Sequence, residues 1–163
     1  MGEVATLKEM FRELSEAKSV LLLTHLRPDG DALGSTFGLR AFLRSAGKKA
    51  DVLLTDGMPH RYINFHRDPL TRISRAQADD YELVAVLDCA NVARLNLPDR
   101  LDINYLRSRR TINIDHHVYN NLDLPKNFVC PERSSASEIV AAMLRDAGAE
   151  QIGRASCRER VLW

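Results

Sequence analysis

Apolar runs and amphipathic stretches alternate along the chain. Between Thr6 and Ala17, Leu7, Met10, Phe11 and Leu14 recur at spacings of three and four. That spacing predicts a helix with one buried face. Ser19–Thr24 (SVLLLT) is continuously apolar and short, as a strand buried on both faces should be. Asp31–Ala46 predicts a second helix, closed by Gly47. Ala50–Thr55 and Leu83–Leu87 (LVAVL) predict two further strands. Between them Gly57, Pro59 and Pro69 break the period, so residues 56–80 are expected to be loops with one or two short helical turns. Leu101–Ser108 predicts a helix, Thr111–Ile114 a strand, and Phe128 and Val129 one more short strand. A last helix is expected over Ser135–Asp146, with Ser135 and Glu138 as a capping box and Gly148 just past its end.

Strands alternating with helices imply βαβ units. The expected fold class is therefore α/β, a mostly parallel central sheet flanked by helices, Rossmann-like in its layering. In such sheets ligands lie outside the carboxyl ends of the strands.

Composition narrows the function. The 163 residues carry 23 Lys+Arg and 22 Asp+Glu, a formal net charge of +1. No single-sign field is available to coat a long polyanion, although a local phosphate site is not excluded. No apolar run approaches the roughly 20 residues that span a bilayer, and the charged N-terminus has no signal-peptide core. Cys89, Cys130 and Cys157 are odd in number and lack CxxC spacing, which fits inert thiols in a reducing, cytoplasmic setting.

Candidate chemistry follows three predicted strands. His25-Leu26-Arg27-Pro28-Asp29-Gly30-Asp31 follows the first, Asp88-Cys89-Ala90-Asn91-Val92-Ala93-Arg94 follows LVAVL, and Asp115-His116-His117 follows TINI. Carboxylates converging at one sheet edge repel one another, and a divalent cation relieves that repulsion. Mixed His and Asp donors suit Mn, Fe, Co or Zn better than Mg or Ca. Five or more candidate ligands exceed one tetrahedral site and suggest two metals about 3.5–4 Å apart. Taken singly, Asp29 or Asp31 reads as a helix cap, and His60 and His66 read as loop residues. Met58, Tyr62 and Phe65 read as local packing.

HLRPDGDALGS, LDCANVARL and NIDHH resemble, in order, the first three motifs of the DHH phosphoesterase superfamily. The PDGDALGS form and the following DGMPHRY segment are most similar to the NrnA-type oligoribonuclease (nanoRNase) branch, whose members also act as 3′-phosphoadenosine-5′-phosphate phosphatases. The resemblance spans roughly residues 5–150. It implies a Mn-dependent hydrolase with two divalent metal ions, acting on short RNA or nucleotide phosphates through a metal-activated hydroxide. His25 and Asp29 are implied ligands of one metal, Asp31 and His116 of the other, and Asp88 of both. Asp115 is implied to support the cluster and His117 to face the scissile phosphate. Asn91 and Arg94 are implied substrate contacts. No membrane and no stable protein partner is implied, and room is left for a homodimer of the full-length protein. A DHH-type inorganic pyrophosphatase and a cyclic-dinucleotide phosphodiesterase are the alternatives within the superfamily. A non-catalytic nucleotide-binding module is the alternative outside it, although GxxxxGK and GxGxxG cradles are lacking.

The expected organisation is a DHH catalytic domain over residues 1–150, incomplete at its C-terminus. A fourth acidic motif and the C-terminal substrate-binding domain are expected to be missing. Residues 151–163 have no apolar period and read as a non-native or divergent tail. The chain as written is expected to bind one metal better than two and to turn over poorly.

Overall fold

The computed structural model describes residues 3–64, 69–95, 97 and 101–148. Phe65, His66, Cys157 and the 151–163 segment lie outside the described residues.

The described residues form, in order, β1 (Glu3–Val4), α1 (Leu7–Glu16), β2 (Ser19–Leu23), α2 (Gly30–Ser45), β3 (Lys49–Leu53), α3 (Arg75–Asp79), β4 (Leu83–Leu87), α4 (Ile103–Arg107), β5 (Thr111–Asp115), β6 (Lys126–Val129) and α5 (Ala136–Asp146). Single 3₁₀ turns occur at His60–Tyr62 and Val92–Arg94. The six strands form one sheet in the order β1-β6-β5-β4-β2-β3, and every neighbouring pair is parallel.

Local chemistry sets the element ends. Thr6 and Glu9 form a reciprocal capping box on α1, which leaves fewer orphan amides at its first turn. After α2, Gly47 adopts φ +76, the left-handed conformation that glycine tolerates without a Cβ penalty. Ser135 caps α5 by accepting the Glu138 amide. The expected reciprocal bond is not the one formed: Glu138 reaches one residue further back, to the amide and hydroxyl of Ser134, and pairs with Arg133.

The continuous apolar runs are strands covered on both sides. All five residues of β2 and of β4 are buried. On one face, Val20, Leu22, Ala85, Leu87 and Ile114 pack with Met10 and Leu14 of α1, Leu33 and Phe37 of α2, and Ile139 and Met143 of α5. On the other, Leu21, Leu23, Val84 and Val86 pack with Ala78 of α3 and Tyr105 and Leu106 of α4. Each fully buried aliphatic side chain contributes about 1.5–3 kcal/mol.

This winding fixes where a ligand belongs. From β2 the chain runs outward through α2 to β3, whereas from β4 it runs the opposite way, through α4 to β5. The crossovers leave a crevice at the carboxyl ends of β2 and β4, the position where open α/β sheets bind ligands. Among the described residues, no helix is long and apolar enough to cross a membrane.

Candidate metal centre

The three marked segments meet at that crevice. His25 follows β2, Asp88 follows β4, and Asp115 closes β5 with His116 and His117 behind it. β5, β4 and β2 are adjacent in the sheet, so the segments become neighbours although the chain separates them widely. Asp88 has φ +52, a left-handed backbone that Asp and Asn tolerate better than most residues. It is 2% exposed.

Asp88 divides the centre in two. Its Oδ2 lies 3.7 Å from Nε2 of His25, and its Oδ1 lies 3.5 Å from Nε2 of His116 and 3.8 Å from Nδ1 of His117. On the first side, Asp29 Oδ2 lies 4.0 Å from His25 Nε2. Asp29 Oδ1 is already used as the N-cap of α2, accepting the amides of Asp31 and Ala32 at 3.0 and 3.1 Å. On the second side, Asp31 Oδ2 lies 3.6 Å from His116 Nε2.

Two groups of donors lie within 4.8 Å of one another: His25, Asp29 and Asp88; and Asp88, Asp115, His116 and His117. These residues could hold a metal ion. Bonds of about 2.1 Å at tetrahedral angles place neighbouring donors about 3.4 Å apart. The separations around Asp88 and His116 match that spacing, and the imidazole and carboxylate donors match the expected class of ion.

Hydrogen bonds orient these donors. His25 Nδ1 lies 2.7 Å from the Leu26 carbonyl and 2.8 Å from the Arg94 guanidinium. The carbonyl takes a proton from Nδ1, whereas the guanidinium needs a lone pair there; the Nδ1–H tautomer is the one that leaves an Nε2 lone pair facing Asp29 and Asp88. His117 Nδ1 lies 2.7 Å from Asp115 Oδ1, so a proton held there turns Nε2 away from the buried carboxylate. Asn120 donates to the other Asp115 oxygen at 2.6 Å and to the Cys89 carbonyl at 3.1 Å. That one amide ties the end of β5 to the loop after β4. Asn120 was not marked by the sequence, because a single Asn in a polar loop reads as a turn former.

The charges carry the cost of convergence. Burial pushes the Asp88 carboxyl up, His25 opposes this, and the negative charges of Asp31 and Asp29 add to it, so the net direction is upward. Burial presses His25 down, but the Asp88 carboxylate and the Leu26 carbonyl outweigh it and raise its pKa. Burial also pushes Asp29 up, yet the Ala32 amide, His25, the Asp31 amide and Arg94 hold it below its ordinary value. A cation between these groups removes the repulsion that raises Asp88.

The remaining marked residues are placed as follows. Asn91 caps the turn at Val92–Arg94 by accepting the Arg94 amide. Arg94 lies behind His25, and its carbonyl accepts the Leu26 amide at 2.6 Å. Asp31 accepts two amides of α5, at Ala136 and Ser137. His60 is exposed, and Met58 and Tyr62 pack against the first core. Cys89 and Cys130 are free thiols, and burial pushes Cys89 up to about 12, which leaves it protonated and inert.

An all-parallel sheet with carboxylates and imidazoles gathered at its switch point makes a cluster that could hold metal ions where open α/β sheets bind ligands. Residues 19–160 match the DHH family, N-terminal domain, and the chain belongs to that family. It is 30% identical over 135 residues to the probable bifunctional oligoribonuclease and PAP phosphatase NrnA of Streptococcus mutans, covering 82% of this chain and 40% of that protein. It is 30% identical over 134 residues to the bifunctional oligoribonuclease and PAP phosphatase NrnA of Bacillus subtilis, covering 81% and 40%. Among solved structures it is similar to an exopolyphosphatase-related protein from Bacteroides fragilis, with a TM-score of 0.74 and 27% identity, covering 87% of this chain and 43% of that one. The chain thus spans about 40% of the length of these curated relatives.

Proposed function

We propose that residues 1–150 are the catalytic domain of a metal-dependent phosphoesterase acting on short oligoribonucleotides and 3′-phosphoadenosine-5′-phosphate in the cytoplasm. The observation that carries this reading is Asp88: its two oxygens face two different imidazoles, His25 and His116, as a carboxylate shared between two cations would. His25 and Asp29 would hold one ion and Asp31 and His116 the other, with Asp88 serving both, and manganese would be the metal. Metal bound there would supply an activated water at neutral pH and offset charge on the phosphoryl oxygens.

The chain's own groups do the rest. Asp115 is wholly buried and holds His117 by its Nδ1. His117 therefore presents Nε2 to the crevice, where it stabilises the phosphoryl group or the leaving oxygen. Arg94, whose guanidinium lies beside His25, contacts substrate at the rim with Asn91. Family names of the relatives support the substrate class. The name of the Bacteroides fragilis structure supports a second reading, in which the substrate is pyrophosphate or polyphosphate.

The test is calorimetric manganese titration of this chain, with parallel hydrolysis assays on dinucleotides, 3′-phosphoadenosine-5′-phosphate and pyrophosphate in a protein carrying the domain. Manganese binding and hydrolysis that stops on chelation are expected. Hydrolysis that survives exhaustive chelation would overturn the metal dependence, and nucleotide binding without metal and without turnover would replace the enzyme by a binding module.

A further inference from the structure

Asp31 is held by a helix from the far end of the chain. It lies half-buried in the first turn of α2, where the negative charges of Asp29 and Asp88 would repel its short acidic side chain. Instead its carboxylate is clasped by α5: Oδ2 accepts the Ala136 amide at 2.7 Å and Oδ1 accepts the Ser137 amide at 2.8 Å. The Ser137 hydroxyl also donates to the Asp31 carbonyl at 3.2 Å. The next amide of α5, at Glu138, is taken by the Ser135 hydroxyl. Asp31 therefore meets the two leading amides of α5, and the positive end of that helix offsets its charge.

The contact depends on close approach at Gly34. A Cβ at Gly34 would lie 2.8 Å from Ser137 Oγ but 3.9 Å from Ser137 Cβ. The first distance is a clash and the second is ordinary contact, so the hydroxyl alone sets the tolerance. Each carboxylate oxygen has two lone pairs, and one amide occupies only one of them. The clasp thus leaves Asp31 Oδ2 able to bind a cation while fixing it 3.6 Å from His116 Nε2.

We propose that the first turn of α5 is the positioning element for the metal ion shared by Asp31 and His116, with Ala136, Ser137 and Gly34 as positioning residues. This rests on the two-metal reading above. α5 gives no ligand; its amides decide where the Asp31 carboxylate stands. Among the described residues, no hydrogen bond ties His25 or Asp29 to α5.

Manganese titration by calorimetry, with free manganese followed by electron paramagnetic resonance, tests this on the whole chain. Asp31→Asn identifies the binding event that depends on Asp31. Gly34→Ala should weaken that same event by about 10–100-fold, the usual cost of disturbing a group that orients a ligand, and leave the other unchanged. Adding Ser137→Ala to Gly34→Ala should restore the affinity to within about threefold, because the opposing hydroxyl is gone while both amides remain. Ala136→Pro offers an independent route: proline suits the first position of a helix, and extended Ser135 (φ −164, ψ 156) suits the residue before it. It deletes one clasping amide and should weaken the same event. A clasp that merely stabilises the fold would lower the melting temperature in these variants without changing the affinity of the folded protein, and that result overturns the proposal. So does a Gly34→Ala effect that Ser137→Ala fails to rescue. A wild-type chain that binds no manganese would instead overturn the metal reading itself, before any variant is compared.

Discussion

The two halves of the centre are built by different means. His25 and Asp29 come from one turn after β2, and Asp29 is fixed by capping its own helix. Asp31 and His116 come from α2 and the end of β5, and Asp31 is fixed by a helix 105 residues further along. Asp88 faces both. The first half is local geometry that a short segment specifies; the second exists only when distant elements are packed. A ligand that also caps a helix is held at little extra entropic cost, whereas a ligand assembled at long range inherits every disturbance of the packing around it.

The strongest way to break the comparison is to remove the residue common to both halves. Asp88→Ala should abolish both manganese-binding events and lower hydrolysis by roughly a thousandfold or more, at least the loss expected when one transition-state stabilising group is deleted. Asp88→Asn is its companion, because Asn tolerates the left-handed backbone that Ala disfavours. Normal turnover in either would remove Asp88 from the bridging role. Next in size, His25→Ala and His116→Ala should each delete one binding event and spare the other, read as a fall from two sites to one. Loss of both sites in His116→Ala would show that the halves are not separable.

Asn120→Ala sharpens the comparison on the second side. It frees Asp115, so His117 loses its fixed orientation, and activity should fall about 10–100-fold with the number of bound metals unchanged. The smallest effect is expected at the start of α5. Arg133, and the amide and hydroxyl of Ser134, hold the Glu138 carboxyl at about 2, below its ordinary 4.5. A depressed carboxylate stabilises the fold above 4.5, and that contribution is lost as the pH falls toward 2. Thermal melts of the metal-free chain and Glu138→Gln should therefore differ by a constant, small amount near neutral pH and converge in acid. A gap that widens on acidification would mean the interaction is not made in the folded state.

The sequence made some of this visible for physical reasons that can be named. β2 and β4 are apolar on both faces, so their runs stand out, and Leu83–Leu87 is predicted to the residue. The donors after β2, β4 and β5 were visible because the chemistry sits where strands end. β1 was not visible: Glu3 and Val4 form only a two-residue edge pairing with β6, too short for any period. The turn at Val92–Arg94 was also missed, because its one signal is a single Asn cap. The Ser135–Glu138 spacing located the start of α5 but not the partner of Glu138, since Ser134 and Ser135 offer the same chemistry one residue apart. Asp31 shows the sharper limit. Its spacing allowed a cap or a ligand, and the structure makes it a cap for a helix other than its own.

The long clasp also sets an order of assembly during synthesis. Chains leave the ribosome at about 5–20 residues per second and fold as their partners emerge. His25 and Asp29 can meet Asp88 as soon as β4 has paired with β2. Asp31 must wait until β5, β6 and then α5 have followed. On the two-metal reading, a nascent chain captured in that interval would have the first half assembled before the second.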